Sequence, residues 1–199
     1  MGKKPDKDRY EHGVTCLQQL EQLAEQELIA LYYGDETGVS TQGYCPYGWQ
    51  GRAERVSIAV LPASHQRLNC FGCISRTNEF YYTTTTKSVD GEFIVEQLEA
   101  FSHTLSKPTF LILDNAPVHK TGTILRCLER WQQRGLYLFY LPPYSPHLNI
   151  AETLWRVLKG KWLEVQDYLS ADTLFKATRQ CLSEVGSTRT IHFAPFTIT

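Results

Sequence analysis

Apolar residues recur every three positions at Val14, Leu17, Leu20 and Leu23, which predicts an amphipathic helix from Tyr10 to about Gln26. The rhythm then changes. Residues 28–33 form a short continuous apolar run ending in Gly34, Asp35 and Glu36, with the length and aromatic content of a buried strand. Residues 55–61, 68–74 and 79–84 are further strand-like runs separated by turn residues, so an antiparallel meander is expected, with the first strand joining it. Phe93, Ile94, Leu98 and Phe101 have helical spacing, and Pro108 closes that segment. An almost wholly apolar strand over 109–113 ends at Asp114, and Ile124, Leu125, Leu128 and Trp131 place a helix over 121–134, stopped by Gly135. A strand over 136–141, a proline-rich turn, a helix over about 150–163 and a last helix over 171–185 complete the chain. Antiparallel strands followed by strand–helix alternation predict an α/β fold, a mixed sheet of about five strands with helices on both faces.

The 199 residues fit one compact domain, and 42% hydrophobic against 21% charged residues gives enough apolar surface for a core. The net charge of −1 excludes a generally basic, stand-alone polyanion binder. Charge is nonetheless uneven: −4 over residues 1–36, zero over 37–113 and +3 over 114–199, so a polyanion would be held locally and late in the chain. No apolar run suits a membrane span or secretory signal, and an intracellular location is expected. Six cysteines are too sparse for a disulfide framework. Cys70 and Cys73 have metal or redox spacing but no second pair, and buried small hydrophobes is the plainer reading.

Three acidic residues carry candidate chemistry. Asp35 and Asp114 each leave the end of an apolar strand, where open α/β sheets gather ligands, and are expected on neighbouring central strands. Burying either carboxylate unpaired costs several kcal/mol or forces protonation, roughly as for any isolated charge. A shared divalent cation removes that cost, because Mg²⁺ takes oxygen ligands. Glu152 supplies a third carboxylate from a helix start. Each has a plainer alternative: Asp35 as part of the turn 34–38, Asp114 as an Asx-turn starter, and Glu152 as the third residue of a capping box begun by Asn149.

Tyr32-Tyr33-Gly34-Asp35-Glu36-Thr37-Gly38, the segment from Leu111 through Asp114-Asn115-Ala116-Pro117 to His119, and the segment from Leu141-Pro142-Pro143-Tyr144-Ser145-Pro146 through Asn149 and Glu152 to Trp155 resemble the three signature blocks of DDE transposases. The likeness is to the mariner-like superfamily and its bacterial insertion-sequence branch, over roughly residues 28–165. Tyr44, Pro46, Tyr47, Trp49 and Gly51 are similar to the family's aromatic loop. The resemblance implies a ribonuclease-H-like fold, Asp35, Asp114 and Glu152 as the catalytic, metal-binding triad, and Mg²⁺ or Mn²⁺, two ions, as cofactor. It implies Mg-dependent DNA cleavage and strand transfer in transposition or recombination. DNA is then the partner, with a homodimer assembled on it, no membrane, and a cytoplasmic, nucleoid-associated location.

Two features depart from the family. Glu152 lies 38 positions after Asp114, a few more than the commonest spacing. Only about 27 residues precede the first strand, too few for paired helix-turn-helix modules, so residues 1–27 read as a helical remnant or linker and 28–199 as the catalytic domain, with specific DNA binding left to a separate helix-turn-helix chain. Candidate DNA contacts are Arg156, Lys159 and Lys161 after Glu152, with His119 as a further candidate to orient water or phosphate; a solvated helix face and a polar helix cap are their alternatives. Trp155 and Trp162 read as core anchors rather than base-stacking platforms. A nuclease without transposition and a non-catalytic remnant of a mobile element remain the competing functions.

Overall fold

The computed structural model describes residues 7–41 and 66–196; the expected strand over 55–61, the aromatic loop from Tyr44 to Gly51 and Cys45 lie outside them. Five strands, β1 (Ala30–Ser40), β2 (Arg67–Ile74), β3 (Phe80–Thr85), β4 (Thr109–Leu113) and β5 (Leu136–Tyr140), form one sheet in the order β3-β2-β1-β4-β5. The first three are the expected antiparallel meander, and β4 and β5 run parallel to β1. The helices are α1 (Lys7–Glu25), α2 (Gly91–Ser102), α3 (Gly122–Gln133), α4 (Ala151–Val157) and α5 (Ala171–Ser183). Both faces of the sheet are covered. One carries α2 and α3 over Phe71, Leu111 and Leu113; the other carries α1, α4 and α5 over Leu31, Tyr33 and Ile112. Among the described residues no helix is long and apolar enough to cross a membrane.

Several elements differ from expectation for identifiable reasons. The first strand does not stop at Tyr33 but runs to Ser40, because β2 pairs with it from Tyr33 opposite Ile74 to Ser40 opposite Arg67. Turn-forming residue types between Gly34 and Gly38 are overridden by that ladder. In α1, Leu23 is exposed and Glu21 is buried instead. At about 100° per residue, nine positions separate Val14 and Leu23 by about 180°, whereas Glu21 returns to within about 20° of Val14. Glu21 is matched where it enters the core: the Tyr33 hydroxyl donates to it, and Arg76 Nε donates at 2.7 Å. Leu125 is likewise exposed on α3. The helix expected over 150–163 is regular only to Val157 and continues as a π turn, Leu158–Trp162.

Two glycines matter for the placement of helices. Gly72 lies opposite Asp35 across the β1–β2 pair, and a Cβ there would stand 2.9 Å from Trp155 Cη2, so its bare backbone seats α4 on the sheet. Gly13 on α1 does the same for the proline-rich loop, with Pro142 Cγ only 2.5 Å from where its Cβ would be. Cys70 and Cys73 are three residues apart in β2 and therefore face opposite sides, each in a different half of the core. They do not form a joint site. Burial raises both thiols, Cys70 to about 12, in keeping with buried small hydrophobes.

Candidate active site

The parallel pair β1–β4 brings Ala30 opposite Thr109 and Tyr33 opposite Ile112, and two residues further along each strand stand Asp35 and Asp114. Asp35 is on β1 and Asp114 directly follows the end of β4, its neighbour in the centre of the sheet. Strand alternation puts both on the face of Tyr33 and Ile112, the face that α4 covers. Glu152, in the first turn of α4, joins them there. All three carboxylates line one cleft of about 470 Å³ together with Asn115, the proline-rich loop and Asn149. Asn149 fixes the height of α4 over β1: its Nδ2 donates to the Gly34 carbonyl at 3.0 Å, and its Oδ1 accepts from Ala151 N–H at 3.0 Å.

The plainer alternatives fare unequally. Asp35 is a strand residue, not a turn residue. Asp114 does start an Asx turn, accepting from Ala116 N–H on Oδ1 at 2.9 Å, yet still lines the cleft. The capping box is not formed, since α4 has no side-chain cap and Asn149 N–H donates to the Pro146 carbonyl instead of to Glu152. Glu152 is exposed, and its carboxylate is not committed to capping the helix.

The electrostatics of the two aspartates are opposed. Burial, then the charges of Glu36, Glu152 and Asp114, push Asp35 up to about 7. Asp114 is held below its ordinary value, chiefly by a hydrogen bond from His119. His119 sits in a short 3₁₀ turn, Pro117–Lys120, that folds back on the strand end. It is 0% exposed, with Nδ1 at 2.7 Å from Asp114 Oδ1 and Nε2 at 2.8 Å from Glu36 Oε1. Burial alone would lower the imidazole, but its hydrogen bonds to Asp114 and Glu36 outweigh that and hold it well above its usual range. With both nitrogens engaged, His119 has none left for a phosphate or water, contrary to its expected part in the site, and it does not cap the next helix, where Thr121 does. Glu36, which sequence reasoning missed, is adjacent to Asp35 but points to the other face; the only signal was two consecutive acids in a strand of period two.

A second, longer cleft of about 700 Å³ shares Asp35 and Glu152 with the first and continues past Trp155, Arg156 and Lys159 to Tyr168. Arg156 is exposed, with Nη2 donating to Thr153 Oγ1 at 3.2 Å, and Lys159 is half-buried by the π turn. Burial, then the nearby charge of Arg67, lowers the Lys159 ammonium below its ordinary value, with Glu152 and Asp35 opposing. Lys161 is exposed and lies outside this lining. Trp155 is a core residue, and its indole N–H makes no hydrogen bond. Trp162 packs against the same core with Arg189 over its ring.

The donors suit a hard cation. They are carboxylates only, and Asp35 is raised by burial first and by its acidic neighbours second, both of which a bound cation offsets. Among the described residues no three His, Cys, Asp or Glu side chains are already closed around a point where an ion would sit.

A family profile described as DDE superfamily endonuclease matches residues 30–175. The chain belongs to that superfamily. No curated protein matches the sequence. Among solved structures, the Mos1 mariner paired-end complex with Mn aligns over 92% of this chain and 58% of that one, with a TM-score of 0.65 at 15% identity. The catalytic domain of Mos1 mariner transposase aligns over 92% of this chain and 85% of its own, with a TM-score of 0.56 at 13% identity. A chain of the simian T-cell lymphotropic virus intasome, in complex with PP2A regulatory subunit B56 gamma, aligns over 81% of this chain and 50% of its own, with a TM-score of 0.55 at 13% identity. The shared property is the ribonuclease-H-like fold of DDE catalytic domains. This chain spans 58% of the Mos1 chain in the Mn complex.

Proposed function

We propose that this DDE endonuclease is the catalytic part of a transposase, cleaving DNA phosphodiester bonds and joining strands with a divalent metal, Mg²⁺ or Mn²⁺. Residues 28–199 are the catalytic domain in this reading, and 1–27 a helical segment leading into it. The observation that carries it is the gathering of Asp35, Asp114 and Glu152 on one cleft, with Asp35 partly buried beside acidic neighbours. Asp35, Asp114 and Glu152 hold the metal, two ions in the full scheme. The chemistry that bound cations supply is activation of the attacking oxygen, water first and then a DNA 3′-hydroxyl, with stabilisation of the leaving oxygen. Arg156 and Lys159, in the cleft that continues from Glu152, meet the phosphate backbone and orient it toward the carboxylates. Lys161 adds to this contact from outside the cleft. DNA binding is salt-dependent and weak for a chain of net charge −1, with end recognition supplied by a helix-turn-helix chain and catalysis by a homodimer on DNA.

The test is incubation with a labelled element end, an unlabelled duplex target and Mg²⁺ or Mn²⁺, resolving nicked and joined products. Products of both kinds, abolished by EDTA and by Asp35→Asn, support the reading. Nicking without joining, with the helix-turn-helix partner present, makes the chain a nuclease without strand transfer. Removing Arg156 or Lys159 should lower the slope of log affinity against log salt by about 1 each, as for any lost phosphate contact.

A further inference from the structure

We infer that His119 and Glu36 are positioning residues for Asp114, with His119 clamping one carboxylate oxygen so that the other is presented to the metal. The inference rests on the reading of Asp114 as a metal ligand. Asp114 Oδ1 is doubly engaged, by Ala116 N–H at 2.9 Å and by His119 Nδ1 at 2.7 Å, and among the described residues no donor is paired with Oδ2. Two N–H donors on one oxygen fix the rotation of the carboxylate about its Cβ–Cγ bond. His119 is itself held from three sides. Pro117 opens its 3₁₀ turn, the Tyr140 hydroxyl donates to its backbone carbonyl at 2.7 Å, and Glu36 takes its second ring nitrogen at 2.8 Å.

The Asx turn alone would complete the backbone after β4, so the fold has no need of the imidazole bridge to end that strand. The bridge instead crosses from β4 to β1, and it draws the carboxylate beside Asp35 away from the metal. Strand alternation sends Asp35 to the α4 side and Glu36 to the other, and His119 fills the space between Glu36 and Asp114. Of two consecutive acids, one becomes a ligand and the other braces the neighbouring ligand. Outer-shell partners of this kind commonly change metal affinity by roughly 10–100-fold when removed.

The experiment is Mn²⁺ titration of the full chain, following free Mn²⁺ by electron paramagnetic resonance, with thermal melting in EDTA run in parallel. The variants are Asp114→Asn, Glu36→Gln, His119→Gln and the double variant. Asp114→Asn should abolish the site. His119→Gln should weaken Mn²⁺ binding by about tenfold or more, and Glu36→Gln by a smaller factor. Because Glu36 acts through His119, the double variant should bind no more weakly than His119→Gln alone. Multiplied losses would make Glu36 an independent electrostatic contributor and overturn the clamp. So would unchanged Mn²⁺ affinity with a lowered melting temperature, the signature of a purely structural bridge. Glu36→Gln keeps size and an acceptor oxygen, so it tests the clamp even where the histidine variants fail to fold. A parent site that survives Asp114→Asn overturns the metal reading itself, and the clamp with it.

Discussion

Glu99 on α2 and Asp35 on β1 are both acids set against the same sheet, on opposite faces, and they are treated in opposite ways. Glu99 accepts from Arg130 Nη2 at 2.7 Å, from Arg134 Nη1 at 2.5 Å and from the buried Trp131 indole N–H at 2.9 Å. Burial alone would raise it, but the hydrogen bonds from Arg134, Trp131 and Arg130 hold it down to about 2. Asp35 is pushed up to about 7 by burial and then by its carboxylate neighbours. A matched acid ties two helices together. An unmatched one, kept at the end of a cleft, costs folding stability when ionised, a cost that a proton or a bound cation relieves.

That contrast is open to attack by substitution. The largest effect is expected at the triad: Asp35→Asn or Glu152→Gln should depress metal-dependent cleavage by at least about 10²–10³-fold, the scale of losing a group that stabilises developing charge. Measured by melting in EDTA near pH 8, Asp35→Asn should be as stable as the parent or more so. A clear drop would mean that Asp35 is structurally paired and that the contrast is false. Glu99→Ala should do the reverse, leaving cleavage within a factor of two while costing about 1–3 kcal/mol in urea unfolding, because it orphans a buried indole N–H.

Acid titration separates the pair more finely. Glu99 has a folded value below its unfolded one, so its stabilisation is complete above the ordinary carboxylate range and is lost as pH falls from about 4.5 toward 2. Melting temperature against pH should therefore be flatter in Glu99→Gln than in the parent over that window, and equal slopes would remove Glu99 from the account. The smallest effect is expected for Glu152→Gln in EDTA. Since α4 has no side-chain cap to lose, its stability should move by less than about 0.5 kcal/mol.

Asp114 was legible because a wholly apolar run ends on it, and Glu152 because the proline-rich exit and Asn149 announce a helix start. Asp35 was legible as a candidate carboxylate but not as a strand interior, since Gly34, Thr37 and Gly38 carry local turn preferences that only the distant partner β2 overrides. The His119 bridge was out of reach for a different reason. Its two partners lie 83 and 5 residues away, and only the β1–β4 pairing makes them neighbours. The π turn at Leu158–Trp162 has no local composition signal, and it is what leaves Lys159 half-buried against Arg67 and the cleft. Glu21 was hidden by a three-residue apolar rhythm that drifts around a helix of 3.6 residues per turn.

Alternation along β1 also makes the site count residues. Tyr33 is locked in the core by Glu21 and Arg76, so the ruler starts from a fixed mark. Deleting the single codon for Gly34 would move Asp35 to the opposite side of the sheet and bring Glu36 into its place, a carboxylate still, but one methylene longer. In the same event His119 would lose its glutamate partner. A gene copy with that lesion would keep every acidic residue of the site and read as intact by composition, yet encode a protein with its carboxylates exchanged between faces.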